Sequence, residues 1–272
     1  MKPWLIERFL KPLALRLIPE RGLFYLKARR YIREVGQFSE REEPDLTVVR
    51  HLVRRGDTVV DIGANVGWYT RYLSRLVGST GHVFGLEPIP STFALLSACV
   101  KHYGLSNVEL FNVAASRTDG SAAMHVPDYP SGGKNYYMAS IVEDGQVATG
   151  LSRQLVESRS LDSLLGGQFN KVGFIKCDVE GHELDVVQGA PQTIKSSKAA
   201  WLIEIDRRND PDSSDSNAAK IFKGFEENGY TVWWFDGTYL RKRKTGEAAL
   251  NYFFLLPEHL SQLSANARHL FA

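Results

Sequence analysis

One segment of the chain combines the residue types and spacing of a cofactor-binding turn. Residues 59–70, VVDIGANVGWYT, begin as an apolar strand with Asp61 near its end and continue as Gly63-x-Asn65-x-Gly67 into a helix. Glycines let such a turn approach a ligand closely, and the start of the helix supplies free backbone N–H donors. These residues predict a binding site for a nucleotide cofactor.

The same turn limits which cofactor can bind. A nicotinamide-binding turn would have glycines at positions 63, 65 and 68, but two of these positions hold Asn65 and Trp68. A triphosphate-binding loop would need a Gly-Lys-Ser/Thr sequence, which this turn lacks. Asp61 would repel phosphate groups, so it favours a ligand with a cationic amino group.

A second acidic residue, Glu87, ends the next predicted strand, twenty residues after Gly67. A carboxylate at this place can accept hydrogen bonds from both hydroxyls of a ribose, and each charge-assisted bond contributes roughly 1.5–3 kcal/mol. Glu87 therefore predicts a ligand that carries adenosine. It also keeps a nicotinamide-dependent oxidoreductase open as an alternative, which Asp61, Asn65 and Trp68 oppose.

Ionisable side chains are dense in residues 176–183, KCDVEGHE. A predicted strand ends in Asp178 and is followed at once by Glu180, His182 and Glu183. Open α/β sheets bind ligands at the carboxyl ends of their strands, so we expect these groups to face the same crevice as the glycine turn. His182, or a carboxylate of Asp178 or Glu180, could act as a general base. The same three residues could also hold a divalent metal ion.

Short β-branched runs alternate with helical segments, which indicates βαβ units in a parallel sheet. Two aromatic-rich strands within residues 231–257 should form an antiparallel hairpin at one side of this sheet. Residues 116–157 contain five glycines and little periodicity, so we expect a lid or substrate loop there. The predicted strands are 58–63, 82–87, 108–114, 172–178 and 199–205, and the predicted helices between them are 68–77, 91–104 and 183–195.

Length and composition limit the class of protein. The 272 residues suit one large domain with extensions, or two small domains. Lys and Arg (33) nearly balance Asp and Glu (31), which argues against a nucleic-acid partner. Cys99 and Cys177 lie in apolar stretches and are too few for a disulfide scaffold, so we expect a cytoplasmic location. No run of 18 apolar residues predicts a membrane span, and charges interrupt the N-terminus too often for a secretory signal.

Residues 1–45 are predicted to be a basic helical extension that precedes a single domain over residues 46–272. Residues 1–35 hold nine basic and three acidic side chains, with helical spacing over 4–18 and again over 22–34. A basic amphipathic helix can lie on an anionic membrane surface, or it can pack on the core with a solvated basic face. Both interpretations stay open, so the protein could be membrane-associated.

Three motifs occur in a characteristic order along the chain: VVDIGANVGWYT at 59–70, LEPIP at 86–90 and FIKCDVEGHELDVVQGA at 174–190. Together they resemble the FkbM family of S-adenosylmethionine-dependent methyltransferases over residues 57–206. Shorter segments support the resemblance: SLDSLL at 160–165, FNVAAS at 111–116 and Leu202-Ile203-Glu204.

The resemblance implies an α/β, Rossmann-like class I methyltransferase fold. This fold has a seven-stranded, mostly parallel sheet with a C-terminal antiparallel hairpin, here preceded by the N-terminal helical extension. The implied reaction transfers a methyl group from S-adenosylmethionine, commonly to a hydroxyl group of a sugar, glycolipid or natural product.

The resemblance also implies roles for individual residues. Asp178, Glu180 and His182 would lie where methyl donor and acceptor meet, and Glu204 would lie near the acceptor. Tyr136 and Tyr137, in the predicted lid, could stack on a sugar ring. The implied cofactor residues are Asp61, Gly63, Asn65 and Gly67 around the methionine end, Glu87 at the ribose, and Asn112 and Ala114 near the adenine. Thr70 is a further expected cofactor-binding residue.

In such a reaction the acceptor oxygen displaces the sulfonium methyl group in line. Most of the rate gain should come from holding donor and acceptor in that geometry. We predict that Asp178 orients or deprotonates the acceptor. A non-catalytic relative that binds only the cofactor or a partner is a further alternative, which the intact glycine turn and the intact 178–183 segment disfavour.

Overall fold

The structure is a computed structural model that describes residues 19–125, 140–141, 153–206 and 209–271. The predicted helix over 4–18, together with Tyr136 and Tyr137, lies outside the described residues. The helices are α1 (Glu20–Gln37), α2 (Leu46–Leu52), α3 (Trp68–Val77), α4 (Pro90–His102), α5 (Leu161–Leu165), α6 (Glu183–Gln188), α7 (Pro191–Ser197), α8 (Asn217–Glu226) and α9 (Pro257–Asn266). The strands are β1 (Thr58–Ile62), β2 (His82–Leu86), β3 (Val108–Phe111), β4 (Ala114–Ala115), β5 (Gly120–His125), β6 (Ser140–Ile141), β7 (Arg153–Arg159), β8 (Val172–Cys177), β9 (Ala200–Glu204), β10 (Thr231–Phe235), β11 (Leu240–Lys242) and β12 (Asn251–Leu255).

The main sheet has the strand order β11-β10-β12-β9-β8-β1-β2-β3. Strands β3, β2, β1, β8 and β9 run parallel, whereas β12, β10 and β11 pair antiparallel. The predicted mostly parallel sheet with a C-terminal hairpin is thus confirmed, but the described strands number eight instead of seven. The additional strand, β11, forms from the basic hairpin connection, and its exposed Arg241 and Lys242 give the sheet a charged outer edge.

Both faces of this sheet are covered by helices. Side chains alternate along a strand, so Val60 and Ile62 of β1 join one buried cluster with Trp201 and with residues of α6, α7 and α8. Val59 points to the opposite cluster, which contains Phe174 and residues of α2, α3 and α9. The result is a helix–sheet–helix architecture in which turns at the carboxyl ends of the parallel strands remain available for a site.

The helix predicted over residues 183–195 is divided in the structure. Helix α6 ends at Gln188 and α7 begins at Pro191, because proline has no N–H to donate and its ring clashes with the preceding turn. Gly189, at this break, permits a close approach: a Cβ there would lie 2.0 Å from the carbonyl oxygen of Ser116. The turn after β4 is thereby held against the end of α6.

A second sheet, in the order β4-β7-β5-β6, occupies part of the segment predicted as a loop. Strands β5 and β7 pair antiparallel along their lengths, so the expectation of a loop over 116–157 is wrong for both. The β5 sequence GSAAMH is small and polar apart from Met124, and it lacks the apolar alternation that marks a strand. The strand predicted over 108–114 is also divided, between β3 of the main sheet and β4 of the second. A lid or substrate role for this segment stays a prediction.

Helix α1 packs on the core of the domain. Its Ala28 and Val35 are buried against Leu95 and Cys99 of α4, and both Cys99 and Cys177 are buried free thiols. None of the helices in the described part of the chain is long and apolar enough to cross a membrane. Contact of α1 with an anionic membrane surface stays a prediction, and three consecutive apolar side chains of α1 are exposed: Phe24, Tyr25 and Leu26.

Candidate functional site

A cleft of about 620 Å³ opens at the carboxyl ends of β1, β2 and β8. Its walls come from the turns that follow these three strands and from the residues around β4. This is where an open α/β sheet binds its ligands. Seven of the predicted site residues line it: Gly63, Asn65, Glu87, Ala114, Asp178, Glu180 and His182.

The turn after β1 is pressed against the turn after β8. Gly63 has φ 78°, and a Cβ at this position would lie 1.8 Å from the carbonyl oxygen of Asp178. The backbone N–H of Asp178 donates to the carbonyl oxygen of Ile62 at 3.1 Å, which joins the two turns. Only glycine can occupy position 63 in this backbone, because any side chain would push the two turns apart.

Two predicted cofactor residues lie behind the wall of the cleft. Gly67, with φ 102°, begins α3, and a Cβ there would lie 2.8 Å from the side chain of Leu96. Thr70 is fully buried, and its hydroxyl donates to Asp61 Oδ2 at 2.6 Å. In this structure both residues support the glycine turn: Gly67 allows close packing against α4, and Thr70 holds Asp61 in place.

Glu87 is buried at the end of β2 and organises the adjacent turn. Its Oε2 accepts a hydrogen bond from the N–H of Asn65 at 3.1 Å, and its Oε1 accepts one from Ile89 at 2.9 Å. Asn112 Nδ2 donates to the carbonyl oxygens of Glu87 (2.8 Å) and Pro88 (2.9 Å). The predicted adenine neighbour Asn112 thus uses its side-chain amide to hold the turn that carries Glu87.

The substitution Asn112→Ala is expected to loosen the Glu87 turn. It leaves two backbone carbonyl groups without their donor, and we expect it to lower the free energy of unfolding by about 1–2 kcal/mol. Urea unfolding measures this effect. Asn228→Ala, which removes an exposed amide that donates to a carbonyl oxygen within one helix turn, is the matched control. Equal stability losses in the two variants would contradict the assigned role.

Burial raises the pKa of Glu87 to about 7, and its two backbone hydrogen bonds only partly oppose this shift. Between pH 4.5 and about 7, the carboxyl group of Glu87 therefore keeps its proton in the folded protein but loses it in the unfolded chain, where its pKa is near 4.5. The free energy of unfolding should therefore fall as pH rises from about 4.5 to about 7, by up to about 3 kcal/mol for this group. In Glu87→Gln, urea unfolding at pH 5 and pH 8 should lose this part of the pH dependence. The exposed Glu109→Gln is the control, and parallel pH profiles for wild type and Glu87→Gln would contradict the prediction.

A second cavity, of about 540 Å³, lies on the other side of Gly63 and shares Asn65 and Asp178 with the cleft. Its remaining walls include Phe38 and Glu43, which precede α2, and the first residues of α3. The aromatic and acidic side chains of the N-terminal region therefore contribute directly to the site.

A buried ion cluster forms the floor of the second cavity. Lys176 is buried, and its Nζ donates to Asp178 Oδ2 at 2.9 Å and lies 4.8 Å from the ring centre of Tyr69. Burial opposes the charge of Lys176, but Asp178 and Asp61 raise its pKa, so the side chain stays an ammonium. Burial also raises the pKa of Asp61, and its Oδ1 has no hydrogen-bond partner among the described residues. A cationic donor from a ligand would satisfy this oxygen.

The segment after β8 places further carboxyl groups near the cleft. Burial, followed by the charges of Asp178 and Glu183, raises the pKa of Glu180 to about 7, and Glu180 has φ 54°. Burial and the charge of Asp178 likewise raise the pKa of Glu204, at the end of β9, to about 7. Glu183 is buried, and its Oε1 accepts a hydrogen bond from Gly181 N at 2.9 Å, which closes the turn.

The described residues contain no group of three or more His, Cys, Asp or Glu side chains that could hold a metal ion.

Sequence reasoning missed two charged residues that line the second cavity. Lys176 is a charged residue inside the apolar strand VGFIKC, and that position should have indicated a buried partner. Glu43 carried no local signal, because it reaches the cavity only through the packing of the N-terminal region.

The helix–sheet–helix fold, the glycine turn after β1 and the acidic residue after β2 define a Rossmann-like cofactor-binding domain. Within this class, the chain belongs to the methyltransferase FkbM domain family, whose model matches residues 61–232. The class I methyltransferase fold expected from the motifs is thus confirmed.

Two curated relatives share less than a third of the aligned residues with this chain. The chain is 28% identical over 143 residues to Methyltransferase 1 of Beauveria bassiana, an alignment that covers 48% of this chain and 57% of the relative. It is 26% identical over 164 residues to the hexuronic acid methyltransferase AglP of Haloferax volcanii, with 57% of this chain and 58% of the relative covered. The chain therefore spans little more than half the length of these relatives. Among solved structures, it is similar to methyltransferase FkbM from Methylobacillus flagellatus KT, with a TM-score of 0.47 and 16% identity over 86% of this chain and 60% of that chain.

Proposed function

We propose that the protein transfers the methyl group of S-adenosylmethionine to a hydroxyl group of a sugar, glycolipid or natural product. Membership of the FkbM family supports methyl transfer, and the relative named hexuronic acid methyltransferase supports a sugar acceptor. The observation that carries the proposal is the pair of cavities that meet at Gly63. One is lined by Glu87, and the other is lined by Asp61, whose buried Oδ1 has no hydrogen-bond partner among the described residues.

The adenosine part of the cofactor fits the cleft beside β2. The ribose hydroxyls donate to Glu87, and the small side chain of Ala114 leaves room for the flat adenine ring. Gly63 and Asn65 would lie beside the methionine part, and the carboxylate of Asp61 would accept a hydrogen bond from its ammonium group. The pyrophosphate of a nicotinamide cofactor would instead meet several carboxylates at close range, which disfavours the oxidoreductase alternative.

The segment after β8 would then face the reacting end of the cofactor. Asp178, whose carboxylate is fixed by Lys176, orients the acceptor hydroxyl so that its oxygen attacks the sulfonium methyl group in line. Glu180 and His182 line the same end of the cleft. Tyr136 and Tyr137 are proposed to stack on the sugar ring, and Glu204 to contact the acceptor.

Methyl transfer is tested directly with methyl-labelled S-adenosylmethionine and a panel of D-glucose, D-glucuronic acid and their methyl glycosides. We expect label in an alkali-stable ether, which distinguishes O-methylation of a hydroxyl from formation of a methyl ester. Cofactor binding without transfer to any acceptor would favour the non-catalytic alternative.

Asp178→Asn is expected to lower kcat about tenfold or more, because the acceptor loses a charged partner that orients it. Steady-state kinetics at saturating cofactor measure this effect. Asp212→Asn removes a carboxylate that pairs with Arg243 at the distant sheet edge, and it should leave kcat unchanged. Full kcat in Asp178→Asn would contradict the role of Asp178.

A glycolipid acceptor would require contact with a membrane surface. The exposed Phe24, Tyr25 and Leu26 of α1, among basic side chains, support peripheral contact through the N-terminal region. Binding to anionic phosphatidylglycerol vesicles that does not change when residues 1–35 are removed would contradict this part of the proposal.

A further inference from the structure

His182 lies between a hydroxyl group and a carboxylate at the edge of the cleft. Its Nε2 is 3.0 Å from Ser116 Oγ, and its Nδ1 is 3.5 Å from Asp185 Oδ2. The imidazole ring is mostly buried, with 17% of the side chain exposed, and it still lines the cleft. A histidine in contact with a hydroxyl group and a carboxylate has the surroundings of a general base.

The two partners of His182 are held by separate contacts. The N–H of Ser116 donates to the carbonyl oxygen of Arg159 at 2.9 Å, and Gly189 lets the Ser116 backbone approach the end of α6. Arg117 forms an ion pair with Asp185 Oδ1 at 3.0 Å, and the other carboxylate oxygen, Oδ2, faces the imidazole ring. The second sheet and α6 thus meet around the His182 ring and fix its orientation.

These contacts favour one tautomer of the neutral ring. A carboxylate can only accept a hydrogen bond, so Asp185 favours the tautomer of His182 that carries its hydrogen on Nδ1, the ring nitrogen that faces it at 3.5 Å. In this tautomer Nε2 is an acceptor, and the hydroxyl of Ser116 donates to it at 3.0 Å. Rotation of this hydroxyl about a single bond would let the hydroxyl of a methyl acceptor take its place at Nε2.

We propose that His182 is the base that accepts the proton of the acceptor hydroxyl, with Asp185 and Ser116 as its positioning residues. This inference rests on the proposed function. The acceptor hydroxyl replaces that of Ser116 at Nε2, and its proton moves to Nε2 as its oxygen bonds to the methyl carbon. The bond from that carbon to the sulfonium sulfur breaks, and the electron pair of the bond stays on sulfur. The products are the methyl ether, neutral S-adenosylhomocysteine and a protonated His182, which releases its proton to water.

Asp178 is less suited to accept this proton. Its Oδ2 already accepts a hydrogen bond from the ammonium group of Lys176 at 2.9 Å, so this oxygen is occupied by another donor. Asp178 orients the acceptor, while His182 removes the proton.

The base is tested with His182→Ala and the D-glucuronic acid or methyl glycoside acceptor that gives the highest turnover. We expect kcat to fall about 100-fold or more while KM for S-adenosylmethionine stays unchanged, and added imidazole should restore part of the rate. His82→Ala is the control, because His82 begins β2 at the end remote from the cleft and pairs with Glu109. An unchanged kcat in His182→Ala, or a loss that imidazole does not restore in a folded variant, would overturn the proposal.

The positioning residues are tested by ¹⁵N NMR of the imidazole ring, which needs no cofactor. Wild-type His182 should carry its hydrogen on Nδ1, and Asp185→Asn should populate the other tautomer and lower kcat about tenfold. Ser116→Ala removes the hydroxyl group that meets Nε2, so it should populate the other tautomer as Asp185→Asn does. Hydrogen on Nε2 of wild-type His182 would overturn the inference, whereas a wild-type protein that binds no S-adenosylmethionine would contradict the proposed function instead.

Discussion

Gly63→Ala should abolish cofactor binding and destabilise the fold. The new Cβ would lie 1.8 Å from the carbonyl oxygen of Asp178. This oxygen belongs to the backbone, so it cannot move aside as the end of a flexible side chain could. The turns after β1 and β8 must therefore separate, which breaks the hydrogen bond between Asp178 and Ile62. We expect the free energy of unfolding to fall by about 3 kcal/mol, and affinity for S-adenosylmethionine to fall about 100-fold or more. Urea unfolding and calorimetric titration measure the two effects.

Gly104→Ala separates the effect of the contact from that of backbone conformation. Gly104 also has a positive φ, 60°, but a Cβ there would meet no heavy atom within 4 Å. This variant should lose only about 1–2 kcal/mol of stability and bind the cofactor normally. If Gly63→Ala behaves like Gly104→Ala, the close contact between the two turns is not what forms the site.

Lys176→Met should have the second large effect. It removes the buried ammonium group and leaves the carboxylates of Asp61 and Asp178 without their positive partner. Loss of one partner of a buried ion pair costs about 3–5 kcal/mol, because the remaining charge stays in a poorly solvated site. We expect the free energy of unfolding to fall by about this amount and kcat to fall with it.

Lys223→Met is the matched control for the loss of a lysine charge. Lys223 is exposed and lies 3.9 Å from Glu227, so its ion pair should contribute less than about 1 kcal/mol. Similar stability in Lys176→Met and Lys223→Met would mean that the buried cluster is not held together by charge.

The parallel part of the fold could be predicted from the sequence because its signals are local. Strand β1 is β-branched at every position except Asp61. Helix α3 spans the predicted residues 68–77 between Gly67 and Gly78, both of which have positive φ. The glycine turn, Glu87 and the 176–183 segment each follow a recognisable strand, so their common location follows from the rule for open α/β sheets.

Strands β5 and β11 and the surroundings of His182 depend on contacts between residues that are far apart in the sequence, and local patterns do not encode such contacts. Strand β5 has mainly small and polar residues, and it forms through its pairing with β7 and β6. Edge strand β11 is basic, so its composition resembles that of a solvated turn. The contact of Ser116 with His182 joins residues 66 positions apart, and no spacing rule indicates it.

Calorimetric titration with S-adenosylmethionine, S-adenosylhomocysteine and NAD tests the central claim most directly. Wild-type protein should bind the first two saturably and should not bind NAD. Asp61→Ala and Glu87→Ala should each lose this binding, because they remove the partners of the ammonium group and of the ribose. Saturable binding of NAD, or unchanged affinity for S-adenosylmethionine in both variants, would contradict the assignment of the two cavities.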